Sequence, residues 1–428
     1  MATPDRAVVV GGGLAGLIVA RRLALEGSEV VVLEASDRLG GQLARHTVAG
    51  IPLDAGAEAF ATRSGTVARL ARALGLGDDI VDPAPAPAWL HRADGTAVAL
   101  PATSVLGIPG VPLATDVIRA IGWRAAWRAQ LDTLMLGQFG SRSRTLGELV
   151  RRRMGAGVLD GLVAPVVRGV HSAHPDELDL DAASPGLRRA FLREGNLASA
   201  VRSLRGPSAA GSQVAGIRGG VFRLVDALTD ELQRFGVELR TGERVVSADH
   251  VGVELESGER VTGSVVVAAP GVTGEPDAGR VVSLVTLVVA APELDAAPRG
   301  TGVLVAAGAD VQARALTHVT AKWPWVAELA GGRHVLRLSY DGVAPGDAVA
   351  RAGRDAATLL GVGIPAPDDA AVVTWERAAP RTHAVDGMHY VGESVSGTGI
   401  AAVVAQADQL PAGLHPPVEG GSDTEPQG

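Results

Sequence analysis

Arg6-Ala7-Val8-Val9-Val10-Gly11-Gly12-Gly13-Leu14-Ala15-Gly16 is the stretch that decides the fold. A short β-branched run stops at three glycines, and from Leu14 to Glu26 the apolar residues recur with helical period. The reading is strand, glycine turn, helix. Glu29 to Leu33 supplies a second strand, and Glu34 stands at its C-terminal end, 18 residues after Gly16. In that setting Gly11-x-Gly13-x-x-Gly16 lets the backbone turn tightly and approach a pyrophosphate, whose charge rests on the helix N-terminus. Glu34 can accept hydrogen bonds from ribose hydroxyls, and its carboxylate disfavours a 2′-phosphate. The unit predicts dinucleotide binding, with NADP the least suitable ligand.

Further along, Asp37-Arg38-Leu39-Gly40-Gly41-Gln42 resembles the second glycine pair of the glutathione reductase type of FAD fold. Asp54-Ala55-Gly56-Ala57-Glu58 resembles the flavin-side loop of the amine oxidase superfamily. Plain NAD domains lack both, so the dinucleotide is read as FAD. Near the other end, Gly392-Glu393 and Gly397-Thr398-Gly399-Ile400 precede a helical pattern. That helix start would face the negative edge of a reduced flavin. The predicted fold is α/β, a Rossmann-like FAD-binding domain of glutathione reductase type with a discontinuous α+β substrate domain. The FAD domain is expected over residues 1–90, 206–270 and 381–412. A helical, membrane-proximal substrate region is expected over 91–205, a strand-rich part over 271–380, and a disordered tail over 413–428. Asp94-Gly95 signals a hairpin, strands are expected to dominate from Val281 to Tyr340, and a helix from Val221 to Phe235.

Composition narrows the chemistry. The net charge of −8 argues against a nucleic-acid partner. Cysteine is absent, which excludes disulfides, thiolate metal sites and a cysteinyl-linked flavin, so the FAD is expected to be noncovalent. His171 and His174 lack a third ligand pattern, and no metal is expected. The longest strongly apolar run, Val281 to Ala291, has eleven residues, against about 20 for a spanning helix. No secretory signal pattern opens the chain, which predicts a cytoplasmic protein. Trp123, Trp127 and neighbouring arginines at helical spacing leave peripheral membrane contact open.

These motifs, in their order, resemble the heme-pathway porphyrinogen oxidases, nearest the bacterial coproporphyrinogen III oxidase and protoporphyrinogen oxidase group. The resemblance rests on Ala55-Gly56-Ala57-Glu58-Ala59-Phe60 with Arg63, Leu106-Gly107-Ile108-Pro109-Gly110, Pro165-Val166-Val167-Arg168-Gly169-Val170, Gly219-Gly220 with Leu224 to Leu228, and Lys322-Trp323-Pro324 with Arg337. The chain departs from the family at His171, where a Tyr is usual, and after Pro380, where a Gln-Tyr is common. The central region is also shorter. The resemblance implies FAD contacts from Gly11 to Gly16, Glu34, Ala35, Gly56 to Ala59, Thr398 to Ile400, and Val245 through its backbone. Arg38, Gly40, Gly41, Gln42, Gly392 and Glu393 join them by position, and Trp375 is expected to wall the cofactor pocket.

The implied reaction is oxidation of coproporphyrinogen III to coproporphyrin III. Each of three steps moves a hydride from a bridge carbon to the flavin while a pyrrole N–H loses its proton. Dioxygen then takes the electrons and yields hydrogen peroxide, and a downstream heme-pathway enzyme is a natural partner. No side chain is named as a catalytic base. Arg63, Arg337, Lys322 and His171 are the candidate substrate contacts. Protoporphyrinogen IX as substrate, an amine or polyene oxidase, and a non-catalytic flavin-binding partner protein remain alternatives.

Overall fold

The computed structural model describes residues 6–62, 64–171, 173–184, 186–205, 214–272, 279–379 and 387–410. Arg6–Val10 and Glu29–Glu34 pair in parallel, joined by the helix Leu14–Leu25. Ser264–Val267 flanks the first strand, Glu238–Thr241 flanks the second, and His389–Tyr390 completes the row of five, every pair parallel. Burial on both faces explains the near-continuous valine runs. Val9 and Val32 pack under the helices Leu14–Leu25, Arg223–Arg234 and Ile400–Asp408, whereas Val8, Val10 and Val31 pack against the antiparallel strands Val245–Asp249, Gly252–Leu255 and Arg260–Thr262.

The second sheet has seven strands. Its order is Asp369–Arg377, Arg280–Val289, His334–Asp341, Ala315–His318, Gly302–Val305, Ala88–His91 and Ala97–Ala99. All pairs are antiparallel except Gly302–Val305 with Ala88–His91. The Asp94-Gly95 hairpin therefore exists, and the strand Ala88–His91 straddles residue 91, so both of its arms join the strand-rich sheet and not the helical region. One face of this sheet packs on the helix Ala348–Leu360, and the other faces the loop Asp54–Ala59.

Two expectations change in detail. The run from Val281 to Tyr340 is interrupted by the helices Val319–Lys322 and Pro324–Ala330, the second starting on a proline whose missing N–H costs nothing at that position. The helix expected from Val221 starts at Arg223, because the Val221 and Phe222 amides donate to the Asp54 carboxylate at 3.0 and 2.9 Å.

Residues 115–205 are mostly helical around their own core. Inside it Arg153, fully buried, pairs with Asp132 at 2.5 Å and donates to the carbonyls of Leu136 and Phe139. The loop above turns its side chains outward, Leu134 and Leu136 being 81% and 83% exposed beside Trp123 and Trp127. Among the described residues no helix is long and apolar enough to cross a membrane.

Candidate functional site

The glycine turn is built by packing at two positions and by openness at a third. A Cβ on Gly16 would stand 2.0 Å from the Gly11 carbonyl oxygen, and Gly11 itself has φ +105°. Gly13 has no atom within 4 Å of where its Cβ would be. Gly40 donates its amide to the Gly12 carbonyl at 2.8 Å, so the second glycine pair lies across the first. Glu34 reaches the same spot: its carboxylate accepts the Gly12 amide at 2.8 Å and the Ser36 amide at 2.9 Å. Ala35 is exposed next to it. The Glu34 carbonyl accepts the Glu243 amide at 2.9 Å, which brings Val245 close to the end of this strand. Arg38 donates to the Gly41 carbonyl at 3.0 Å and lies 5.8 Å from the Trp375 ring centroid.

The second element is the loop Asp54 to Ala59, held from the seven-stranded sheet. Arg337 Nη1 donates to the carbonyls of Asp54 and Gly56 at 3.1 and 2.8 Å. Its Nη2 lies 2.8 Å from Glu58 Oε2, while Lys322 Nζ donates to Glu58 Oε1 at 2.8 Å. Although burial alone would raise the Glu58 pKa, the two cations hold its carboxyl down at about 2. Asp54 behaves oppositely: burial pushes it up to about 6 against its two amide donors and Arg337. Trp375 donates its indole N–H to the Ala55 carbonyl at 3.1 Å and so walls this loop. A Cβ on Gly56 would meet the Gln42 carbonyl oxygen at 2.2 Å, which packs the two loops together. Ala57 is exposed beyond them. Arg337 and Lys322 are thus committed to Glu58 and the loop, so neither stands free for a substrate carboxylate. Arg63 and the side chain of His171 lie outside the described residues.

The third element comes from the chain's other end. Gln42 Nε2 donates to Glu393 Oε2 at 3.2 Å, and Arg377 Nε donates to Glu393 Oε1 at 2.8 Å. The Gly392 amide donates to Gln406 Oε1 at 3.1 Å, tying the turn to the helix Ile400–Asp408, which lies beside Leu14–Leu25. Gly397 and Gly399, on either side of Thr398, have no atom within 4 Å of a Cβ position. Two glycine turns therefore present open backbone beside helix N-termini, and the residues fit a flavin dinucleotide.

A family model described as flavin containing amine oxidoreductase matches residues 14–273. The chain belongs to that family. The coproporphyrinogen III oxidase of Mycobacterium tuberculosis (strain ATCC 25618 / H37Rv) is 29% identical over 439 residues, covering 97% of this chain and 91% of the relative. That of Propionibacterium freudenreichii subsp. freudenreichii is 28% identical over 269 residues, 54% of this chain, and this match spans half (50%) of the relative's length. A crystal structure from Exiguobacterium sp. 255-15 has the same fold, with TM-score 0.77 and 21% identity over 95% of this chain and 97% of that one.

In this flavin amine oxidoreductase, sequence reasoning missed a set of arginines on the sheet face opposite the Asp54 to Ala59 loop. Strand register puts Arg377 beside Arg280 and Trp375 beside Val282, so all four share the face of Arg337. Leu284 and Val373, also paired, form an apolar floor between them. Arg314 precedes the neighbouring strand Ala315–His318, and Arg168 comes from the helix Ala164–His171, whose Gly169 packs on Leu304. The only sequence signal was Arg377 two residues after Trp375, the spacing that puts both on one face of a strand. His46, buried beside Arg337, has its pKa lowered by that burial and by the guanidinium, and stays neutral.

Proposed function

We propose that this flavoenzyme acts in the cytoplasm, binds FAD noncovalently and oxidises coproporphyrinogen III to coproporphyrin III. The observation that carries the reading is the similarity over 97% of the chain to the coproporphyrinogen III oxidase of M. tuberculosis. Each of three rounds removes a hydride from a bridge carbon and a proton from a pyrrole nitrogen. Six electrons pass to three dioxygen molecules, which with six protons leave as three hydrogen peroxides. When bound, the flavin supplies the two-electron acceptor that amino-acid side chains lack.

The chain's own residues hold and orient. Gly11 to Gly16 and Glu34 take the ADP half, with Gly40, Gly41 and Arg38 closing the turn. Gly56 to Ala59, braced by Glu58 on Arg337 and Lys322, support the ring system, and Trp375 walls it. The start of Ile400–Asp408 adds the positive end of a helix dipole where reduction leaves negative charge. On this reading the two segments of the seven-stranded sheet, with residues 115–205, cover the substrate, and the parallel sheet carries the cofactor. Lining by Leu284, Val373 and Trp375 suits a flat apolar ring.

The test is anaerobic mixing of the yellow holoenzyme with coproporphyrinogen III. Bleaching of the flavin band together with the rise of porphyrin fluorescence is expected. Bleaching by a primary amine or by protoporphyrinogen IX, but not by coproporphyrinogen III, overturns the substrate assignment. Acid precipitation should release all the yellow colour, and colour retained in the pellet rules out a noncovalent cofactor.

A further inference from the structure

One guanidinium of the cleft is buried with too few partners. The Arg314 side chain is 10% exposed and its Nε has no hydrogen-bond partner. Its Nη1 makes two long contacts, 3.4 Å to the Arg168 carbonyl and 3.4 Å to Asp341, whose own carboxylate is 60% exposed. Its neighbours include Arg168, Arg280 and Arg377, and their charges, after burial, hold its pKa down. Two of those neighbours are occupied: Arg280 pairs with Glu177 at 2.9 Å and Arg377 with Glu393. Arg168 makes no ion pair among the described residues.

A buried cation with a weak counter-charge costs several kcal/mol unless an anion completes it. The deeper cations cannot trade places with it, because Glu58 already neutralises Arg337 and Lys322. Nor is the net charge of −8 an obstacle, since the attraction is local to a low-dielectric cleft. Arg314 stands beside the apolar floor of Leu284 and Val373, so its ligand is an apolar body with an acidic arm.

We propose that Arg314 and Arg168 form a carboxylate-binding subsite at the end of the cleft, which takes one propionate arm of the substrate. This rests on the porphyrinogen reading above and assigns the anchor to residues that reading does not use. Arg314 supplies a fork with one open N–H, Arg168 a second cation, and together they can hold a carboxylate where a lone contact to Asp341 does not.

Arg314→Gln and Arg168→Gln are compared with wild-type holoenzyme by steady-state turnover of coproporphyrinogen III. Equilibrium titration with coproporphyrin III, followed by fluorescence, supplies a second readout. The apparent KM and the porphyrin Kd should each rise about tenfold while kcat and the flavin spectrum change less than about twofold, the pattern of lost uniform binding. Arg314→Lys, which keeps the charge and loses the fork, should recover part of the loss. Should burial make Arg314→Gln fold without flavin, Arg168→Gln decides. Turnover by wild type with unchanged KM and Kd in Arg168→Gln and Arg314→Gln overturns the subsite and leaves the substrate reading intact. Wild type that neither oxidises the porphyrinogen nor binds the porphyrin overturns both.

Discussion

The parallel and antiparallel sheets build the two walls of the same cleft in opposite ways. On the parallel side, Gly11 to Gly16, Glu34 and Gly40-Gly41 act within 31 residues of chain, because a tight turn needs its glycines in immediate succession. On the antiparallel side, Arg280, Arg314, Arg337 and Trp375 come from different strands and meet only through strand register. The first wall is local and steric, the second long-range and electrostatic. Damage to the first should act on cofactor retention, and damage to the second on stability and substrate affinity.

The strongest way to break that contrast is Gly16→Val. With a Cβ forced to 2.0 Å from the Gly11 carbonyl oxygen, the turn cannot close, and the purified protein should lose its flavin absorbance altogether. A yellow Gly16→Val protein with a normal flavin-to-protein ratio contradicts the steric account.

Glu58→Gln comes next. It leaves Arg337 and Lys322 buried without their shared carboxylate, and breaking such a pair costs about 3–5 kcal/mol. A urea midpoint within error of wild type refutes the clamp. The same variant tests the pH profile. A carboxyl held at about 2 when folded stabilises fully above its ordinary pKa, and that stability drains away as pH falls from about 5 toward 2. Asp54 has the reverse sign: with its pKa raised to about 6, it favours the folded state increasingly as pH falls from 6 to about 4. Glu58→Gln should therefore flatten the loss of stability below pH 5, and an acid limb as steep as that of wild type speaks against the assignment.

Glu34→Ala is a smaller probe of the local wall. Removing a charged acceptor should weaken FAD binding by about 1–3 kcal/mol, measured by titrating apoprotein with FAD. Unchanged affinity means that Glu34 serves only the Gly12 and Ser36 amides. The smallest effect is expected away from both walls, where Trp123→Ser at a 55% exposed site should change stability by less than about 0.5 kcal/mol. A larger drop in the thermal midpoint shows that this tryptophan packs more than its exposure indicates.

Legibility in the sequence follows the same division. The strand, turn and helix around Gly11 were readable because each property depends on neighbours in the chain, and so was the hairpin at Asp94-Gly95. Arg337 and Lys322 drew attention as cations, yet their service to Glu58 was hidden, since that carboxylate lies 279 residues before Arg337. Arg314 gave no signal at all: one arginine among many acquires meaning only when burial removes its solvent. The helices Val319–Lys322 and Pro324–Ala330 were lost in a stretch dominated by β-branched residues, where Pro324 was the single marker. Strand ends were set by pairing partners that no local window contains, as at Ala88–His91.

The order of strands in the five-stranded sheet also bears on how the protein folds as it is made. Arg6–Val10 is among the first segments to leave the ribosome, but its outer neighbour is Ser264–Val267, and the edge beyond that, His389–Tyr390, emerges after most of the chain. Ala88–His91 likewise waits for Gly302–Val305. Such distant pairings pay loop-closure entropy late and leave apolar valine edges uncovered during synthesis. Slow, late folding, with a need for chaperone protection of the nascent N-terminal strands, is the kinetic counterpart of a cofactor site assembled from both ends of one chain.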